Sequence, residues 1–281
     1  FNYFTLFRLF SMIAAHRHTY NAAFSNARYQ EMMADIEQQF PRQLDFRVAE
    51  TPVFIPAALR DKLLAAGERI IDVIQQDNFS QLTEKSIPPQ QRVPGNEGKP
   101  DFLTFDFAVC RAADGELEPQ LIELQGFPSL YAFQGWLPGV FRCHFPIADS
   151  VTPFLSAVDF QAYQEQMRQF LLAGQPVENV ILLELFPERQ KTRIDFALSH
   201  ELWGIESVCL TKIRKDGRQL YYEKDGRFIL ITRIYNRVIF DELARYPELE
   251  TAFNFRDEVD VTWIGHPNWF FRISKYTLPL L

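Results

Sequence analysis

Seven residues near the middle of the chain, NVILLEL at 179–185, leave few choices of fold. A continuous apolar run of that length reads as a strand buried on both faces. The segment Glu188 to Trp203 after it repeats Ile194, Leu198 and Leu202 at helical spacing, and Gly204 supplies a C-terminal stop. Glu206 to Thr211 reads as a second strand. A β-α-β passage of about 35 residues implies a parallel pair with a right-handed crossover. The chain is therefore placed in the α/β class.

The flanking segments change period. Phe7, Phe10, Ile13 and Ala14, continued by Tyr29, Met33, Ile36 and Phe40, predict a helix from Phe1 to about Gln39, stopped by Pro41. Leu59, Leu63, Ile70 and Ile74 predict a second from Pro56 to Gln76. Residues 86–101, rich in Pro, Gly and polar side chains, read as a linker. FLTFDFAVC at 102–110 and Leu117 to Leu124 read as antiparallel strands turned by Ala113-Asp114-Gly115. Residues 126–153 read as a Pro/Gly-punctuated segment, and Asp159 to Ala173 as a helix. Asp-Gly turns at 216–217 and 225–226 space short strands. A short helix over Val238 to Tyr246, a strand over Val259 to Ile264 and a final helix from His266-Pro267-Asn268 complete the reading.

Charge narrows the function. With 29 basic and 36 acidic residues the net charge is −7, and the basic excess that phosphate-contacting nucleic-acid binders show is missing. No apolar run reaches the roughly 20 residues of a membrane helix. The expected partners are therefore neither nucleic acid nor membrane. Cys110, Cys143 and Cys209 form no CxxC pair, which argues against a zinc ribbon. Reduced thiols in the cytoplasm are the simplest reading, with Cys110 and Cys209 buried in strands. The 27 phenylalanines are scattered, as core material is. The stretch Trp269 to Leu281 ends without a cap or a polar tail, so the chain is read as a piece of a longer one.

The hairpin carries the chemistry. Residues i and i+2 of a strand share a face, so Glu123 and Gln125 present a carboxylate and a carboxamide oxygen together, with Leu124 turned to the core. Asp106 opens the opposite strand. Such hard oxygens suit Mg²⁺ with nucleotide phosphates. By spacing alone, two polar residues on a solvated edge strand are the favoured reading.

This segment resembles the acid-x-amide motif of circularly permuted ATP-grasp enzymes, the family of eukaryotic-type glutathione synthetase and glutathionylspermidine synthase. The matching string is Asp106-Phe107, Asp114-Gly115, Ile122-Glu123-Leu124-Gln125 and Phe127-Pro128-Ser129. By resemblance Glu123 and Gln125 bind the catalytic magnesium, Gln standing where Asn is usual, with Asp106 orienting them. Tyr235-Asn236-Arg237 resembles the family's strand ending Tyr-x-Arg beside the substrate pocket, which implies that Arg237 holds a substrate carboxylate. From the residues alone, Arg237 equally pairs with Asp241 or Glu242. Lys275 occupies the place of a lysine that contacts ATP phosphate, or is a solvated surface lysine.

The resemblance implies ATP and Mg²⁺ as cofactors and small-molecule carboxylate and amine substrates. The activity implied is ATP-dependent ligation through an acylphosphate. It divides the chain into an N-terminal helical region, 1–95, and an ATP-grasp-like hairpin, 96–156. A Rossmann-like subdomain, 157–265, and the start of the remaining ATP-grasp part, 266–281, follow. The rest of the nucleotide site would lie past Leu281. Two rival readings stand beside it. One is a non-catalytic ATP-grasp-like binding or scaffold protein. The other is an unrelated α/β enzyme with a sugar nucleotide on the 179–211 unit, whose turn Phe186-Pro187-Glu188 lacks phosphate-approach glycines.

Overall fold

Ser25 divides the N-terminal helical pattern in two. The computed structural model describes residues 13–156 and 158–281, so the stripe through Phe7 and Phe10 lies outside the described residues. In place of one helix to Gln39 there are α1 (Ala14–Ala23) and α2 (Asn26–Gln39). The extended Ser25 accepts a hydrogen bond from the Arg28 amide, so the serine caps a new helix instead of continuing the old one. α3 (Ala57–Ile74) forms as expected, and α4 (Phe79–Leu82) is a single turn.

Residues 86–101 are no free linker. Asn268 binds both backbone groups of Val93, accepting from its N–H and donating to its carbonyl, each at 3.0 Å. The Trp269 indole donates to the Glu97 carbonyl. Side chains distant in sequence hold this polar segment, and composition does not show them.

β1 (Thr104–Arg111) and β2 (Leu117–Gln125) pair antiparallel. α5 (Tyr131–His144) then occupies the segment read as punctuated loop. Its Pro and Gly residues suit a tightly packed helix: at Gly135 an added Cβ would lie 2.6 Å from the Tyr163 ring. Phe133, Val140 and Phe141 bury the inner face. α6 (Phe160–Leu172) is capped by Asp159, which accepts from the Ala162 amide.

β3 (Val180–Glu184), α7 (Arg193–Trp203) and β4 (Glu206–Cys209) form the expected β-α-β unit, although α7 starts five residues later than the spacing suggests, after a 3₁₀ turn at Pro187–Arg189. The antiparallel strands β5 (Arg214–Asp216), β6 (Gln219–Lys224) and β7 (Arg227–Ile231) follow the two Asp-Gly turns. β8 (Arg233–Asn236), the short α8 (Phe240–Leu243) and β9 (Thr262–Ile264) complete a parallel sheet of order β4-β3-β8-β9. The last helix is brief. α9 (Asn268–Arg272) ends where Ser274 caps a 3₁₀ turn, Lys275–Leu280.

The strand period partitions the core. On β3, Val180 and Leu182 join the helices α2, α5, α6 and α7, whereas Ile181 and Leu183 join β5–β7 and Phe253 and Phe255 on the other face. Helices, parallel sheet and antiparallel sheet thus stack as layers. The hairpin β1–β2 packs through Leu124 and Phe105 against Ile74, Phe79, Trp269 and Ile273. A chain whose remaining part would pack on this flank should leave Phe270, Ile273 and Leu278 partly exposed; Phe270 and Leu278 are half-buried, but Ile273 is buried. Cys110 is exposed and Cys209 half-buried, against the expectation that both are buried. Cys110 lies at the end of β1, where Val109 and Arg111 are exposed with it. No helix among the described residues is long and apolar enough to cross a membrane.

His266, just past β9, is buried, and its Nδ1 accepts the Asn268 amide while Nε2 has no partner among the described residues. Burial lowers its pKa from the ordinary 6.5. The unfolded chain therefore binds the extra proton first. The stability this neutral histidine contributes is full above about pH 6.5 and falls as the pH drops through and below it. Unfolding free energies from urea titrations are expected to decline over that range by up to about 1.4 kcal/mol per pH unit. They should decline less in His266→Asn, which keeps the acceptor.

Candidate functional site

A bulge aims the end of β2. Asp106 pairs with Glu123 but Phe107 pairs with Leu121, so Ile122 is the extra residue and is exposed. Past the bulge, Leu124 faces the core, and Glu123 and Gln125 share the other face with Asp106. Gln125 Nε2 donates to Asp106 Oδ2 at 3.4 Å, leaving the amide oxygen free. Asp106 and Glu123 stand directly opposite across the strands, an arrangement of like charges that a bound cation relieves.

Gly126 follows, and it has to be glycine. A Cβ there would meet Ile273 Cβ at 2.6 Å and the Trp269 carbonyl at 2.8 Å. The hairpin end is thereby pressed onto α9.

Arg237 lies at the end of β8, where its amide donates to the Leu183 carbonyl at 2.9 Å. Its side chain is buried between the rings of Phe127 and Phe196, with the guanidinium carbon 5.3 and 5.5 Å from their centroids. Nη1 donates to the Pro128 carbonyl, and buried Nε has no partner among the described residues. It makes no ion pair with Asp241 or Glu242 among the described residues.

These pieces meet in one cleft of about 690 Å³ lined by Glu123, Gln125, Phe127, Glu184, Gln190, Arg237 and Glu242, among others. That size suits a small molecule. The cleft adjoins the carboxyl ends of β3 and β8. From β3 the chain crosses to β4 on one side, while β8 lies on the other, so this is the point where the strand order reverses. Lys275, exposed and past the end of α9, is not among the lining residues, although its neighbour Ser274 is.

Sequence reasoning missed Glu184, Gln190, Glu242 and Asp195. Glu184 is only 4 % exposed, and its Oε1 accepts the Leu185 amide at 2.7 Å. Burial pushes its carboxyl up to about 8, against the pull of that hydrogen bond and of Arg237. Gln190 Nε2 bridges the Leu185 carbonyl and Glu242, each at 2.7 Å. Fully buried Asp195, on α7, accepts the Phe133 amide at 2.9 Å, while its Oδ2 has no hydrogen-bond partner among the described residues. It thereby caps α5 from a neighbouring helix. One signal was available for Glu184: it is the lone charged residue of the apolar run that forms β3.

Two carboxylates and an amide oxygen fit Mg²⁺, which is usually bound by one or two carboxylates completed by water and substrate phosphates. Among the described residues no group of three or more His, Cys, Asp and Glu is placed to hold a metal alone.

No protein-family model matches the sequence, and no curated protein matches it. Among solved structures, the fold is similar to that of a glutathione synthetase-like effector from Globodera pallida in its apo form. The identity is 12%, the TM-score 0.51, and the match covers 92% of this chain and 64% of the effector. The chain therefore spans somewhat less than two thirds of that protein. The likeness is one of fold: a mixed α/β architecture like that of the effector.

Proposed function

We propose that the chain forms the metal-and-substrate part of an ATP-dependent carboxylate–amine ligase of the permuted ATP-grasp kind, working through an acylphosphate. The observation that carries this reading is a single cleft lined both by Glu123 and Gln125 and by Arg237 and Glu184. A metal corner beside a guanidinium is what phosphorylation of a carboxylate requires, because the task is positioning and neutralisation of spreading negative charge.

In this reading Glu123 and Gln125 hold Mg²⁺, and Asp106 orients the Gln125 amide through the hydrogen bond described above. Bound Mg-ATP supplies the phosphoryl group that activates the substrate acid. Arg237 receives the substrate carboxylate through N–H groups not given to Pro128. Its burial between two aromatic rings strengthens that attraction by excluding water. Phe127 fixes the plane of the guanidinium.

Glu123→Ala is expected to lower the Mg-dependent ATP affinity of the full-length gene product by about 100-fold or more, since even outer-shell partners of a metal are worth 10–100-fold. Calorimetry with and without Mg²⁺ measures this, and an unchanged affinity removes the metal assignment. A binding module without turnover is the second reading, favoured by the position of Lys275 outside the cleft. Mg-dependent ATP binding with no ATP consumed in the presence of acids and amines would select it.

A further inference from the structure

We propose that Glu184 and Glu242 form an ammonium subsite in the cleft, and that Glu184 takes the proton of a primary amine seated there. This rests on the ligase reading of the same cleft. Amide formation needs such a group, because an amine arrives as an ammonium ion and is not nucleophilic until it loses a proton.

Geometry singles out Glu184. One oxygen is fixed by the Leu185 amide, which orients the carboxylate, and the other has no hydrogen-bond partner among the described residues. The turn that follows is strained: Phe186 has φ +47°, a left-handed conformation that a bulky residue adopts only when its surroundings impose it. Phe186 is held there by its amide donating to Cys209 Sγ, by the Arg189 guanidinium over its ring and by the Tyr246 ring against it. Strain at the end of β3 thus fixes where Glu184 stands.

The charges around it suit a cation beside an anion. Glu242 comes from α8, with one oxygen held by Gln190. Arg237 comes from the end of β8. Arg189 and Lys191 of the β3–α7 turn, Arg245 and Glu123 line the same cleft, and Cys209 pairs with Glu184 across the sheet. An ammonium between the two carboxylates answers their mutual repulsion, while Arg237 remains free for the acid. Burial keeps Glu184 near 8, which matches a group that exchanges protons with amines around neutral pH.

The step balances. The proton passes from nitrogen to the free oxygen of Glu184, and the electrons of that N–H bond stay on nitrogen as its lone pair. Nitrogen then bonds the acyl carbon of the acylphosphate as the carbon–oxygen bond to phosphate breaks, with its electron pair leaving on phosphate, and the second proton that nitrogen sheds on becoming an amide goes to the departing phosphate.

The test uses the 281-residue chain with ¹³C-labelled glutamate carboxyls, the Glu184 signal being assigned by its loss in Glu184→Gln. The glutamine keeps the acceptor for the Leu185 amide, so the fold is retained. Methylammonium chloride is expected to lower the Glu184 titration midpoint by about half a pH unit or more, since an adjacent cation favours the carboxylate. Tetramethylammonium chloride at the same ionic strength is expected to leave it unmoved, having no N–H to give. In Glu184→Gln the methylammonium-induced shift of the Leu185 amide signal should vanish. An equal effect of the two salts, no effect of either, or a Leu185 shift that survives in Glu184→Gln overturns the proposal. The ligase reading fails separately. If methylammonium acts as expected but Glu123→Ala leaves Mg-ATP affinity unchanged, the ammonium site stands and the metal assignment falls.

Discussion

Arg272→Met is expected to cost about 3–5 kcal/mol of folding stability, because it removes one partner from a buried ionic cluster. Arg272 is 2 % exposed. Its guanidinium donates to both oxygens of Glu97, at 2.6 and 3.1 Å, to Glu84 at 2.9 Å, to Thr83 Oγ1 at 3.2 Å and to the Ser80 carbonyl. Burial alone would raise the Glu97 carboxyl. Hydrogen bonds from Arg272 and Asn268 and the Arg272 charge hold it below the usual carboxylate range instead. Methionine fills the space but leaves Glu97 with only the Asn268 amide and the Arg92 guanidinium at 3.8 Å. Glu84 is half exposed and contributes little of the cost. Glu97→Gln added to Arg272→Met is therefore expected to recover most of the loss in urea unfolding. A double variant as unstable as the sum of the two single ones would show that packing, not charge, decides the effect.

That cluster also shows what was legible in the sequence and what was not. The hairpin and the β-α-β unit were readable because local patterning matches their environment: alternation around an Asp-Gly turn, and an apolar run ahead of a helical stripe ended by glycine. α5 was unreadable for the opposite reason. Gly135 and Pro138 signal a break locally, yet Gly135 is required by the Tyr163 ring, which comes from α6. The strap at 86–101 looked free because Asn268 and Arg272, about 170 residues on, hold it. In the site, Glu123, Gln125 and Arg237 sit on regular strands or their ends, where the side-chain period places them. Glu184 and Asp195 act through burial, which period alone does not reveal. Lys275 was read as a residue of a long helix, and the Ser274 cap puts it past the helix end.

Asp195→Ala should lower stability by about 1–3 kcal/mol and also disturb the cleft. The carboxylate takes the Phe133 amide, and stranding a buried donor costs roughly 1–3 kcal/mol where no water reaches it. Leu130, in the loop just before α5, sits at φ +58°. Arg237 braces the same loop by donating to the Pro128 carbonyl. The loop 126–130 leaves directly from the end of β2 that carries Glu123 and Gln125, so its release separates them from Arg237. Mg-dependent ATP affinity of the full-length gene product should fall with the stability. Asp195→Asn divides the two roles of the carboxylate. It keeps an oxygen for the Phe133 amide and removes only the charge, so it should cost about 1 kcal/mol, as a single neutralised hydrogen bond does, and leave nucleotide affinity near that of the parent. If asparagine proves as damaging as alanine, the charge facing Arg237 rather than the cap holds the loop. The coupling between metal corner and substrate pocket would then be electrostatic.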